Sequence, residues 1–383
     1  MAIERMPITP EVITWARERL GYTLDALIAK RSDFKRVAEW ESGESRPTYR
    51  QLEKLAKELW LPVAVFFFPE PPESPKIEET FHTLSSAQFA EIPPRIRTLL
   101  HKARAFQSGL AELNDGRNPA RRIITRDLRI SSGDSLTLTA RQIREYLGVS
   151  SAEQCSWPNV GAAFEAWRKA FYDVGVTVFK DAFGVDDFCG FSLYDVEFPV
   201  IYANNSNAKT RQIFTLFHEL AHLLYRTSGI DRQGSFENKL PSEHEHIEQQ
   251  CNALANAVLV PEEEFNLART PGRFDRSEAD SLAKRFSVSR EVIYRRFLDR
   301  NWIETGEYEA AAAEWARQFK LSQKGKTGGD HYRTRLVYLG EEYVALAFRR
   351  YYEERIDDEE LADYLGIKPK HIDLLEETWL GER

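Results

Sequence analysis

Apolar residues recur at three- and four-residue spacing along most of the chain, and only a short central stretch clusters them as strands do. ITPEVITWARERLG (8–21) predicts a first helix, with Thr9 as cap, Pro10 in first position and Gly21 at the stop. TLDALIAK predicts a second helix, SDFKRVAEWESG a third, and RPTYRQLEKLAKELWLPVAVFF a fourth with room for a fifth. PEPPESP (69–75) follows as a semi-rigid linker. Beyond it PPRIRTLLHKARAFQSGLAEL and LTARQIREYLG are helical, with the irregular NPARRIITRDLRISSG between them. Together they predict a helical connector covering the part that follows. Its basic residues, Arg95, Arg97, Lys102 and Arg104 and then Arg121, Arg122, Arg126 and Arg129, read as a solvated face, with phosphate contact as the competing reading.

AFEAWRKAFYDVG (163–175) is an amphipathic helix. VTVFK, CGFSLYD and FPVIYANN come next, rich in Val, Phe, Ile and Tyr and punctuated by Gly184, Gly190 and Asn204, which are strand signals. Then the pattern changes. In RQIFTLFHELAHLLY (211–225) apolar residues cover nearly the whole helical circumference, and a helix apolar all round is a buried one. His218, Glu219 and His222 lie inside it, where an unpaired polar group costs roughly 2–7 kcal/mol. Something must compensate them. HIEQQCNALANAVLVPEEEF supplies the next helix, stopped near Pro261. Helix-turn-helix-like patterns recur weakly near 282–297 and 358–375. After QKGKTGGD (323–330), YRTRLVYLGEEYVALAFRRYYEERI predicts one long amphipathic helix that buries Tyr338, Tyr343, Phe348, Tyr351 and Tyr352, and DDEELADYLGIKPKHIDLLEETW an Asp-capped helical pair.

Composition narrows the class without naming it. A chain of 383 residues, 42% hydrophobic and 29% charged, is globular and too long for one ordinary core. No apolar run approaches the ~18 residues that span a membrane, and the first residues lack a signal-peptide core, so the expected location is the cytoplasm, with no membrane partner. Cys155, Cys189 and Cys251 are scattered without a CxxC pair and read as reduced thiols. The net charge of −8 argues against the whole surface as a nucleic-acid platform and leaves room for one basic face.

The buried histidines form H-E-x-x-H. Residues at i and i+4 share a helix face, so His218 and His222 can reach one ion at the ~2.0–2.1 Å of a Zn–N bond. Glu219, one step round, is placed to hold a water and take its proton. With eight histidines and sixty acids, chance matches to this pattern number roughly 0.03 per chain. A third ligand is required; Glu248 on the next helix is the first choice, and Glu243, His244, Glu245 and His246 are the others. Asn252, four residues beyond Glu248, is placed to orient a ligand from behind. Tyr225, His244 and His246 are candidates for stabilising an oxyanion, and the strand PVIYANN is either internal or open to an added substrate strand.

Two resemblances organise these signals. AEWESGESRPTYRQLEKLAKEL resembles the XRE-type helix-turn-helix family over about the first 68 residues. That resemblance implies a third helix in the major groove, with Ser32, Phe34, Lys35 and Arg36 at the bases. Acids and bases nearly balance across this segment, so protein docking is the competing role. GFSLYD, PVIYANN, RQIFTLFHELAHLLY and the run from Glu248 to Pro261 resemble the ImmA/IrrE metallopeptidases over about 160–300. This resemblance implies His218, His222 and Glu248 as ligands of Zn²⁺, with Mn²⁺ the alternative metal, and Glu219 as catalytic acid/base. It also implies a partner: a helix-turn-helix repressor as substrate or, in the competing reading, a toxin held by an antitoxin. DNA through 8–68 and a homodimer are further partners the reading allows. The expected fold class is α+β multidomain: an all-α helix-turn-helix over 1–72, a helical connector over 73–160, a zincin-like α+β metallopeptidase over 161–305 and an all-α region over 306–383.

Overall fold

The computed structural model describes residues 4–73, 89–131, 133–232, 242–323 and 329–381. They group into two units, Met1–Lys102 and Ala103–Arg383, a coarser division than the four segments read from the sequence. Parts of the expected linker 69–75 and of the stretch 323–330 lie outside the described residues.

In the first unit, helices α1 (Pro10–Arg19), α2 (Leu24–Lys30), α3 (Val37–Glu41) and α4 (Tyr49–Glu58) enclose Val12, Leu27, Trp40 and Leu55. α4 starts on a full capping box: Thr48 accepts from the Gln51 N–H while the Gln51 side chain accepts from the Thr48 N–H. The third helix of the sequence reading is shorter than expected. Ser32–Phe34 is a 3₁₀ turn and α3 begins only at Val37. Two side chains hold that turn: Phe34 drops fully into the core, and Asp33 accepts from Lys54 Nζ of α4 at 2.9 Å. Helix α5 (Pro94–Leu113) carries a second correction. Arg97 is neither solvated nor free for phosphate; it is buried, donating to the Ile92 and Phe89 carbonyls at 3.1 and 2.9 Å.

The second unit is built round a four-stranded sheet of β1 (Thr177–Asp181), β2 (Phe188–Leu193), β3 (Val200–Asn204) and β4 (Ile230–Arg232), in the order β1-β3-β2-β4. β1 and β3 run parallel and the other pairs antiparallel. β3 therefore has both edges occupied and is internal; the expectation that it could accept a substrate strand is withdrawn. Every residue of β1, β2 and β3 is buried, because helices cover both faces. On one face lie α7 (Val160–Asp173) and α8 (Lys209–Leu224). On the other, Phe179 stacks on Phe106 at 4.8 Å and meets the Tyr343 ring edge-on at 5.0 Å. α9 (Ser242–Leu259) lies against α8, and α6 (Leu136–Leu147) covers α9, tied by Arg144 Nη1 to the Val258 carbonyl at 2.8 Å.

Toward the C-terminus the single long helix of the sequence reading is two, His331–Leu339 and Glu341–Tyr352, broken at Gly340 with φ +90°. A side chain at that glycine would meet the Arg168 guanidinium, which donates to the carbonyls of Val178, Val337 and Tyr338. Backbone conformation and crowding thus both require glycine there. Tyr343 and Phe348 are buried as expected, but Tyr352 is 60% exposed and Tyr338 and Tyr351 are only partly covered.

Candidate metal centre

α8 is buried from Gln212 to Leu224, so its polar residues are usable only where neighbours receive them. His218 and His222 face α9. Their Nε2 atoms lie 3.2 Å apart, and Glu248 places Oε2 3.2 Å from His218 Nε2 and Oε1 3.3 Å from His222 Nε2. Donors held about 2.05 Å from a tetrahedral ion stand roughly 3.3 Å from one another. The two imidazole nitrogens therefore stand at one edge of such a site and the Glu248 carboxylate straddles them, one oxygen toward each. One ligand atom from each residue lies within 4.8 Å of the others, and among the described residues this is the group able to hold a metal ion.

The ring nitrogens facing away are also occupied. His218 Nδ1 lies 3.1 Å from Asn252 Oδ1, and His222 Nδ1 lies 3.4 Å from Thr227 Oγ1, whose own proton goes to the His222 carbonyl at 3.1 Å. Both acceptors favour a proton on Nδ1 and leave the Nε2 lone pair for a metal. A close approach makes room: a Cβ on Gly229 would come within 2.4 Å of the His222 ring.

Charge reinforces the arrangement. Burial disfavours the His218 imidazolium, but Asp231 and Glu248 outweigh it and raise the pKa to about 9. Burial likewise opposes the Glu248 carboxylate, yet the imidazoles of His222 and His218 hold its pKa well below the usual carboxylate range. Glu219 is fully buried, and desolvation raises its pKa against the pull of the two imidazoles. Its Oε2 accepts from Ser192 Oγ at 2.6 Å and its Oε1 from the Asp231 N–H at 3.1 Å.

Other sequence candidates fall elsewhere. Tyr225 Oη donates to Gln250 Oε1 at 2.7 Å, and His246 meets the amide of the same glutamine at 2.9 Å. The side chains of Glu243, His244 and Glu245 lie outside the described residues. Of the expected DNA-contacting residues, Ser32, Lys35 and Arg36 are exposed, with Arg36 paired to Glu39 at 2.6 Å. Phe34 is a correction: fully buried, it anchors the turn and cannot touch a base. Ser192, Thr227, Gly229 and Asp231 were not singled out from the sequence. Thr227 meets His222 from just five residues along the chain. The roles of Ser192 and Asp231 depend instead on β2 and β4 closing over α8, and only the four-residue spacing of Arg211, Thr215 and Glu219 hinted at a second polar row.

A buried H-E-x-x-H helix, backed by a sheet and joined by a glutamate from its neighbour, belongs to the class of metallopeptidase-type folds. Residues 173–298, roughly a third of the chain, match the Peptidase_M78 family, described as the IrrE N-terminal-like domain. No curated protein matches the chain. No helix among the described residues is long and apolar enough to cross a membrane.

Proposed function

We propose that this protein is a regulatory metalloendopeptidase that cuts a partner protein, with a helix-turn-helix repressor as the substrate class. The observation that carries the reading is the convergence of His218 and His222, whose Nε2 atoms lie 3.2 Å apart, with the two oxygens of the Glu248 carboxylate 3.2 and 3.3 Å from them, beside a fully buried Glu219. A divalent ion, Zn²⁺ or Mn²⁺, would supply Lewis acidity there, polarising the scissile carbonyl and lowering the pKa of water from 15.7 toward about 7. Glu219 takes the proton of the attacking water and passes it to the leaving amine. Asn252 and Thr227 hold the two imidazoles in the tautomer that a metal requires. Residues 8–68 act as a helix-turn-helix module that brings the peptidase to DNA or to its protein partner, with Ser32, Lys35 and Arg36 on its exposed face. Cytoplasmic action fits a repressor substrate.

The test is incubation of the full chain, with Zn²⁺ or Mn²⁺, with the repressor-like and toxin-like products of neighbouring genes, wild type against Glu219→Gln. Wild type should release two fragments from one partner, and Glu219→Gln should be slower by about 10²–10⁴-fold, the contribution of a general acid–base group. Cleavage by both proteins rejects the mechanism. Cleavage by neither, with stable binding of a toxin, supports the competing antitoxin reading.

A further inference from the structure

Helix α8 carries a polar row that the metal triad does not use. Arg211, Thr215 and Glu219 are spaced i, i+4, i+8 and share one face, which meets β2 and β4. Ser192 Oγ donates to Glu219 Oε2 at 2.6 Å and accepts from the Gly229 N–H at 3.2 Å, so its single proton is directed at the glutamate. The second glutamate oxygen accepts from the Asp231 N–H at 3.1 Å. Asp231 is braced in turn: Thr215 Oγ1 donates to Oδ2 at 2.8 Å and Arg211 Nη2 to Oδ1 at 2.7 Å. Ser192, Thr215 and Glu219 are wholly buried and Asp231 is 2% exposed. β2 approaches this row closely, since a Cβ at Gly190 would come within 2.4 Å of Thr215 Cγ2.

The terminal torsion of a glutamate is broad, so burial alone does not fix its carboxylate plane. One donor on each oxygen does. We propose that Ser192 and Asp231 are positioning residues that hold the Glu219 carboxylate in one orientation, with Thr215 and Arg211 holding Asp231. The proposal rests on Glu219 acting as the acid/base of the reading above. A small misplacement of a reacting group is costly in rate, which gives the row a role beyond satisfying buried polar atoms.

The experiment compares full-length wild type, Ser192→Ala and Thr215→Val, each loaded with Zn²⁺, by crystal structure and by partner cleavage. Both variants should bind one Zn²⁺ per chain as wild type does. The Glu219 carboxylate, single in wild type, should rotate or split between orientations in each variant. kcat should fall roughly tenfold or more while KM stays within about twofold, the signature of a lost transition-state interaction. Thr215→Ser, which keeps the hydroxyl, should recover most of the loss seen in Thr215→Val. An unchanged carboxylate orientation, or an unchanged kcat, in both variants overturns the proposal. If Ser192→Ala does not fold, the near-isosteric Thr215→Val decides alone. If wild type and Glu219→Gln are equally inert toward every partner, the acid/base reading fails, and the crystal comparison still decides whether the row positions Glu219.

Discussion

The two units solve the problem of a covered histidine in opposite ways. In the first, His101 is half-buried with its Nε2 atom shielded and without a hydrogen-bond partner among the described residues. Burial, aided by Arg19, pushes its pKa down to about 4. In the second, His218 and His222 are buried more deeply, yet Asp231 and Glu248 lift His218 to about 9 against the same desolvation. Burial of an imidazole is thus no sign of a ligand. What separates a filler ring from a candidate metal donor is the carboxylate that reaches it and the acceptor that fixes its tautomer.

The largest test of that contrast is to remove the carboxylate. Glu248→Ala takes from the two buried imidazoles the one carboxylate that reaches both, leaving Asp231 as the remaining counter-charge to His218, an environment closer to that of His101. Zn²⁺ affinity, measured by chelator competition, should fall roughly thousandfold, beyond the 10–100-fold that outer partners of a ligand are worth. Affinity within a few-fold of wild type would remove Glu248 from the ligand set.

The second test uses pH, where the two histidines carry opposite signs. An unfolded histidine titrates near 6.5 and folded His101 near about 4, so the unfolded chain binds more protons between these values. Stability from keeping this ring neutral is present above pH 6.5 and is lost as pH falls toward 4. The ceiling is on the order of 3 kcal/mol, from 1.36 kcal/mol per pKa unit. His218 in the metal-free protein is raised instead: its contribution is complete below pH 6.5 and fades as pH rises through about 9. Thermal unfolding of metal-free His101→Leu should therefore lose part of the acid destabilisation seen in wild type while keeping the alkaline loss. Parallel profiles for the two proteins would contradict the assignment.

The legibility of the two regions differs for related reasons. The triad was readable because its information is local: His218 and His222 are fixed by helical period, and Glu248 by its place on the next apolar helix. Ser192 and Asp231 reach Glu219 from 27 and 12 residues away. They depend on the closure of an antiparallel β2–β4 pair, which no single-helix pattern encodes. Phe34 was misplaced because regular helical spacing sets it on a groove-facing surface, whereas the 3₁₀ turn rotates it into the core. Gly340 sat inside an unbroken apolar period, and only its positive φ and the Arg168 guanidinium beneath it reveal the break. Periodicity found the elements; the exceptions arose where backbone conformation or a tertiary partner overrode it.

The smallest test separates the tautomer from the ligand. Asn252 Oδ1 lies 3.1 Å from His218 Nδ1, and its accepting oxygen keeps the Nε2 lone pair free. Asn252→Ala removes the acceptor without touching a donor, so Zn²⁺ affinity should drop about tenfold, at the low end for such partners. Asn252→Asp restores an oxygen acceptor at the same place and should recover the loss. Metal uptake near neutral pH should also release a proton from His218, since that ring is protonated below about 9 in the metal-free state, and titration calorimetry in two buffers of different ionisation enthalpy reads it directly. Equal losses in Asn252→Ala and Asn252→Asp would mean that shape rather than the hydrogen bond matters at this position. The contrast with His101 would then rest on the carboxylates alone.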